Sequence, residues 1–200
     1  MLAQLVADLK ATSALEAASV VLGLVYLLLA VKRQRWCWVA GGLSSAIVLY
    51  LSLGAQLPMQ AALNGYYVAM SFYGWWRWTQ DQAGTAPSVS LLPLRFHIAA
   101  CLGIVAVSAL TAQWLASETN AAWPYLDSFT TWGSLFTTWL VARSKLENWV
   151  YWLVIDSILA FLFAMQGLVL LALLFVVYLG IVIAGFFSWH RIYRTQALAR

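Results

Sequence analysis

Residues 147–163 read Glu147-Asn148-Trp149-Val150-Tyr151-Trp152-Leu153-Val154-Ile155-Asp156-Ser157-Ile158-Leu159-Ala160-Phe161-Leu162-Phe163, an apolar run with one ionisable side chain, Asp156, near its middle. On a helix Trp149, Trp152 and Asp156 fall at i, i+3 and i+7, so two indoles and a carboxylate share a face. Such a face is a cradle for a flat or cationic ligand. A carboxylate in hydrocarbon is costly, so it belongs in a protein interior or a wet cavity, and an intramembrane acid marks a functional candidate. The competing reading has Asp156 satisfied by a neighbouring Ser, Thr or Tyr, with the tryptophans serving as interface anchors.

Composition supports a membrane reading of that run. The chain has 200 residues, 64% of them hydrophobic and 9% charged, which is more apolar surface than a soluble domain of this size can bury. It is therefore expected to be one all-α polytopic domain over residues 1–200. Twelve tryptophans and nine tyrosines exceed what two aromatic belts need, so those near helix centres require another role. Cys37 and Cys101 match no disulfide or metal spacing. The net charge of +4 sits between apolar segments, as topology demands, and implies no nucleic acid.

Seven apolar segments are long enough to span a bilayer, at residues 14–31, 36–53, 58–77, 96–116, 123–142, 148–166 and 168–189. The first is not expected to be a cleaved signal, because its basic cluster follows the apolar run. Lys32, Arg33, Arg35, Arg77, Arg95, Arg143, Lys145, Arg191, Arg194 and Arg200 fall on one side and Lys10 alone on the other. The positive-inside rule then puts the N-terminus outside and the C-terminus in the cytoplasm.

The polar stretch from Thr79 to Pro93 separates two related halves. Glu16, Lys32, Tyr67, Gly74 and Trp78 recur 111 residues later as Asp127, Arg143, Tyr178, Gly185 and Trp189. Trp36, Trp38 and Gly54 match Trp149, Tyr151 and Gly167 at a spacing of 113, which implies a small insertion and its later compensation. Residues 14–78 and 123–190 are thus expected to be copies of one three-helix unit. An odd-numbered unit repeated directly would flip in the membrane, so residues 96–116 serve as an inverter helix. This 3+1+3 parallel repeat is a transporter architecture with its site near the midplane.

Two more polar stripes reinforce a cavity between the halves. Asn64, Tyr67, Ser71, Trp75 and Trp78 share one face of the third helix, and Asp127, Thr131, Ser134 and Thr138 one face of the fifth, with Thr130 and Thr137 beside it. Ser and Thr also bond their own helix backbone or join helices, which is the alternative for the fifth helix.

Tyr73-Gly74-Trp75-Trp76-Arg77-Trp78 resembles the ending of the third core helix in the PnuC family of bacterial vitamin transporters. Asp127-Ser128, Arg143-Ser144-Lys145-Leu146-Glu147-Asn148-Trp149-Val150-Tyr151-Trp152 and Gln166-Gly167 are similar to that family's other signatures, in order over nearly the whole chain. The resemblance implies facilitated diffusion of nicotinamide riboside, or in related branches thiamine or riboflavin, across the bacterial inner membrane. It also implies a fold similar to the sugar-carrying SWEET proteins, a homotrimer, and a cytoplasmic kinase that traps the product; no cofactor is implied.

Nicotinamide riboside and thiamine carry a fixed positive charge on an aromatic ring, and an indole face attracts such a cation by about 0.5–2 kcal/mol. Trp149 and Trp152 are the expected stacking pair. Asn64 suits an amide, a ribose hydroxyl or an aminopyrimidine, with Gln166, Tyr67 and Ser134 as further contacts. Asp156 stands where nicotinamide riboside carriers of the family have Asn, and a carboxylate there favours thiamine. Arg143, Lys145 and Glu147 form a candidate gate at the cytoplasmic mouth, although such a cluster is more often simply a solvated loop obeying the charge rule. Glu16 and Asp127 at the outer helix starts suit either a cation or the helix dipole.

An intramembrane enzyme is disfavoured. His97 and His190 lie far apart in the chain, each beside an interface, and no nucleophile elbow or phosphate-cradling glycine loop occurs. A channel or purely structural protein is the remaining alternative. Saturable, competable uptake separates a carrier from both.

Overall fold

The computed structural model describes residues 13–82, 88–118 and 123–198. Lys10, Arg200 and residues 83–87 of the polar linker lie outside the described residues. Those described form seven α-helices: α1 (Ala14–Val31), α2 (Cys37–Gly54), α3 (Pro58–Gln82), α4 (Leu94–Glu118), α5 (Pro124–Ala142), α6 (Asn148–Met165) and α7 (Val169–Leu198). The chain is an all-α polytopic membrane protein. Five helices, α1, α2, α4, α6 and α7, are long and apolar enough by composition to cross a membrane. The other two, α3 and α5, carry the polar stripes, and they pack against each other.

The helix bounds run past the apolar segments at α3, α4 and α7. Thr79, Gln80 and Asp81 continue α3, and Arg191, Arg194 and Thr195 continue α7. Hydropathy marks the hydrocarbon, whereas the backbone hydrogen bonds of a helix continue through the interface into water.

Local chemistry sets the ends. Ser13 and Glu16 form a reciprocal capping box, with Ser13 N–H donating to Glu16 Oε2 (2.6 Å) and Glu16 N–H to Ser13 Oγ (3.2 Å). Glu16 is thereby occupied in starting α1. The C-termini of α1, α2, α5 and α6 all close through a residue in the left-handed region: Arg33 (φ 54°), Gln56 (φ 55°), Ser144 (φ 57°) and Gly167 (φ 75°). In each, the following N–H reaches back to the carbonyl five residues earlier, as Gln34 to Leu29 (3.0 Å) and Lys145 to Leu140 (3.0 Å).

These four turns fall in pairs 111 residues apart, Arg33 with Ser144 and Gln56 with Gly167. α2 and α6 span the same 18 residues shifted by 111. Gly74 lies against the Trp38 indole and Gly185 against that of Trp149, again 111 apart. The register is therefore constant, and the 113 spacing expected for Trp36, Trp38 and Gly54 is corrected: Trp38 corresponds to Trp149, with no insertion. The packing order agrees, since α1 meets α2 and α7 as α5 meets α6 and α3. Such equivalences support two copies of one three-helix unit. α4 packs on α5 and reaches α6 through His97, whose Nδ1 is 2.9 Å from Tyr151 Oη and whose Nε2 is 3.2 Å from Glu147 Oε1.

A Cβ at Gly185 would stand 2.5 Å from the Trp149 ring, closer than packed atoms come, so the indole occupies the space that glycine vacates. Gly185→Ala is expected to cost roughly 1–3 kcal/mol through overpacking. Gly180 has open space around its Cβ position, and Gly180→Ala is expected to leave stability unchanged or raise it. Thermal denaturation in detergent checks both; equal midpoints for the two variants would contradict this packing.

Candidate functional site: a two-lobed chamber between the halves

The core between α1, α2, α3, α5, α6 and α7 is hollow. A lobe of about 490 Å³ and a second of about 330 Å³ share Gly23, Tyr26, Gln60, Tyr67, Trp152, Phe175 and Tyr178 as walls, and so form one chamber. Both volumes fall in the range of roughly 300–1,000 Å³ typical of small-molecule sites.

The larger lobe is lined by Asp156, Trp152, Tyr67, Ser134, Gln166, Asp127, Thr130 and Thr131. It extends toward the ends of the helices where α3 and α5 begin and α6 finishes. The smaller lobe contains Asn64, Ser71, Thr138, Gly41, Ser44 and Ser45. Much of its hydroxyl chemistry is committed to helix carbonyls: Ser71 Oγ–H donates to Val68 O (2.7 Å), Thr138 Oγ1–H to Ser134 O (2.8 Å) and Ser44 Oγ–H to Ser19 O (2.8 Å). Asn64 Nδ2–H likewise donates to Gln60 O (2.9 Å). These groups offer their remaining lone pairs to a ligand. Thr137, buried and bonded to Gly133 O (2.7 Å), lines neither lobe.

Asp156 is 4% exposed, and among the described residues none donates a hydrogen bond to it. Among the described residues no Lys, Arg or His lines either lobe. The chamber is also lopsided. Shifted back by 111 residues, Trp152 and Asp156 correspond to Gly41 and Ser45. One half offers an indole and an acid where the other offers a hydrogen and a hydroxyl. Gly41 is needed there, because a Cβ would meet the Tyr26 ring at 2.8 Å.

Trp149 does not join this set. Its indole is 2% exposed and stands edge-on to Trp189, with ring centroids 5.4 Å apart, two helical turns from Asp156 toward the basic face. The expected Trp149 and Trp152 stacking pair is thus separated by depth, and Trp152 alone reaches the chamber. Trp75 and Trp78 also leave the α3 stripe: Trp75 packs on Trp36, and Trp78 is fully buried.

The buried tryptophans close one end. Trp38, Trp78, Trp189 and Trp149 form a row with successive centroids 5.4, 5.9 and 5.4 Å apart. Trp78 Nε1–H donates across the halves to Ala142 O (3.2 Å), and Trp189 Nε1–H donates the other way to Ala30 O (3.0 Å). Over the middle of the row lies Arg33, 1% exposed, with Cζ 4.4 Å from the Trp78 ring and 5.6 Å from that of Trp189. Its Nη2 contacts Asp81 (3.1 Å), Ser88 O (3.2 Å) and Ser144 Oγ. Burial lowers the guanidinium to about 10, opposed by Asp81, so it stays charged at neutral pH. By charge count alone Arg33 is only a topology marker.

Arg143, Lys145 and Glu147 do not pair with one another. Arg143 lies over Trp139 (5.0 Å), Lys145 Nζ donates to Ser90 Oγ (2.8 Å), and Glu147 Oε1 accepts from Leu92 N–H (2.6 Å). Residues 88–93 therefore form a strap rather than a free linker. Main-chain bonds from Ser90 N–H to Ser144 O (3.2 Å) and Leu146 N–H to Ser90 O (3.1 Å) fix it across the α5–α6 turn. The expected gate residues are thus dispersed among separate partners, and Arg33, its indoles and the strap lie at the same face.

The chain is 26% identical to the riboflavin/roseoflavin transporter RibM of Streptomyces davaonensis, over 84% of this chain and 81% of that one. It is 23% identical to the nicotinamide riboside transporter PnuC of Escherichia coli, over 88% and 84%. The crystal structure of the vitamin B3 transporter PnuC shares its fold, with a TM-score of 0.76 and 22% identity over 96% of this chain and 87% of that one. The model of the nicotinamide mononucleotide transporter family matches residues 13–191. An apolar helical bundle around a closed-ended chamber, matched along almost its whole length, makes this chain a membrane transporter of the nicotinamide mononucleotide transporter (PnuC) family, and not an enzyme.

Proposed function

We propose that the protein carries a small cationic vitamin by facilitated diffusion, nicotinamide riboside first, with Trp152 stacking on the charged ring and Asp156 compensating its charge. Asp156 carries this reading: an acid buried on the chamber wall, with no hydrogen-bond donor or basic neighbour among the described residues, suits a ligand that brings its own positive charge. Tyr67, Ser134, Gln166 and Asn64 supply polar contacts around it. Thiamine is the second reading, favoured because a carboxylate also accepts from an aminopyrimidine amine. Riboflavin, transported by one relative, is neutral and would leave Asp156 uncompensated.

In this account residues 14–78 and 123–190 are two parallel repeats joined by an inverter at 96–116, and they rock about the chamber to expose it alternately. The basic face is cytoplasmic, which puts the N-terminus outside and makes the Arg33 layer the closed inner gate of an outward-facing state. A homotrimer and a cytoplasmic kinase that traps the vitamin complete the reading. The exposed apolar face of α4, with Leu94 (74%), Leu102 (67%) and Leu110 (70%), is free to meet lipid or another copy.

Uptake of labelled nicotinamide riboside into vesicles holding the purified protein tests it. Saturable uptake competed by thiamine more strongly than by riboflavin is expected; competition by riboflavin alone would contradict a cation site. Asp156→Asn is expected to lower affinity for both cations about tenfold, with the larger loss for thiamine, and equal affinities would show that the charge does nothing.

A further inference from the structure

We propose that the outer face of α7 is a binding site for one anionic phospholipid, with its phosphate held by Arg191 and Arg194 and an acyl chain lying along the helix toward the bilayer centre. The site is separate from the chamber and does not depend on which vitamin is carried.

A single stripe of α7 carries both parts. Leu173, Val176, Gly180, Ile183 and Phe187 recur at steps of three or four and are all exposed, and the same steps continue through the exposed Arg191, Arg194 and Leu198. From Val176 to Phe187 the helix rises about 16 Å, which matches the hydrocarbon of one leaflet, about 15 Å. Gly180 has open space where a Cβ would stand, so the stripe is notched where an acyl chain would lie. Where the apolar part ends, Phe187, His190, Arg191, Arg194, Thr195 and Leu198 surround an open hollow of about 390 Å³.

The hollow has the chemistry of a phosphate site. Among the described residues neither guanidinium has a hydrogen-bond or ion-pair partner, and α7 carries no Asp or Glu. Other basic residues of this face are engaged: Arg35 and Arg143 lie over Trp75 and Trp139, and Lys145 holds Ser90. A guanidinium fork takes a phosphate through two parallel N–H bonds, and two forks one turn apart suit one phosphate better than water alone. A choline headgroup would set a quaternary ammonium beside them, whereas a glycerol headgroup leaves the lipid anionic. The charge rule accounts for arginines at this depth, but not for a stripe of acyl-chain length aligned with both of them.

The opposite side of the same turns belongs to the closed end of the chamber. Trp189 Nε1–H reaches Ala30 O (3.0 Å), and Gln196 Oε1 accepts from Val89 N–H (3.1 Å). A lipid seated outside therefore braces the segment that closes this end.

The test uses delipidated full-length protein in detergent, with dioleoylphosphatidylglycerol and dioleoylphosphatidylcholine added in separate runs and retained lipid counted by native mass spectrometry. Phosphatidylglycerol is expected to be held about tenfold more tightly and to raise the melting temperature. Arg191→Gln with Arg194→Gln is expected to weaken that retention roughly 30-fold while melting with wild type in the absence of lipid; Arg95→Gln, at an exposed arginine of α4, is expected to retain the lipid as wild type does. Equal retention of the two lipids, or an equal loss in Arg95→Gln, would overturn the site by showing only general attraction to a basic face. Excess glycerol 3-phosphate is expected to leave the lipid in place; its displacement would assign the arginines to a soluble phosphate ester instead. Oligomers that retain no lipid and dissociate in the double variant would make this face a contact between copies and remove the lipid from it.

Discussion

Trp152→Ala is expected to weaken binding of nicotinamide riboside or thiamine by roughly 30-fold, about 2 kcal/mol, with little change in thermal stability. Trp152 is a wall of both lobes, so its indole meets the ligand whichever lobe the charged ring enters. Its counterpart in the other half is Gly41, which supplies no second ring in compensation. Trp149→Ala separates contact from packing. That side chain is buried against Gly185 and Trp189, so its loss is expected to lower the melting temperature strongly, with affinity changing only through the packing. Titration calorimetry and melting curves on both variants check this; an unchanged affinity in Trp152→Ala would remove the aromatic wall from the account.

The second large effect belongs to Arg33. Removing its guanidinium leaves Asp81 without its cation and a gap between two indoles, and breaking so buried a pair costs about 3 kcal/mol. Arg33→Ala is expected to lower the melting temperature and to admit thiol reagents from the basic face to a cysteine introduced at Ser71. Arg33→Lys is expected to restore little, because an ammonium lacks the flat fork that both stacks on Trp78 and reaches Asp81 and Ser88. Full rescue by Lys would show that charge alone holds this end shut.

Seven helices were legible because an apolar run of about 20 residues has few other fates. The chamber was legible on α6 and α3, where Asp156, Trp152, Asn64 and Tyr67 break apolar spans at helical spacing. Depth was not. Trp149 and Asp156 share a face, but seven residues put them about 10 Å apart along the axis, far enough to place one in the closed layer and the other in the cavity. Tyr26, Gln60 and Phe175 line the chamber and were missed; Tyr178, the repeat partner of Tyr67, was matched to it without being assigned to the wall. The role of Arg33 depends on a left-handed turn and on partners up to 111 residues away, Asp81 and Ser144, which no local pattern encodes.

The most direct measurement is a structure determined with nicotinamide riboside or thiamine bound. The account predicts the cationic ring within about 4 Å of the Trp152 indole and beside the Asp156 carboxylate, between α3, α6 and α7. A vitamin bound outside the chamber, or lying in it with its charged ring turned away from Asp156, would contradict it.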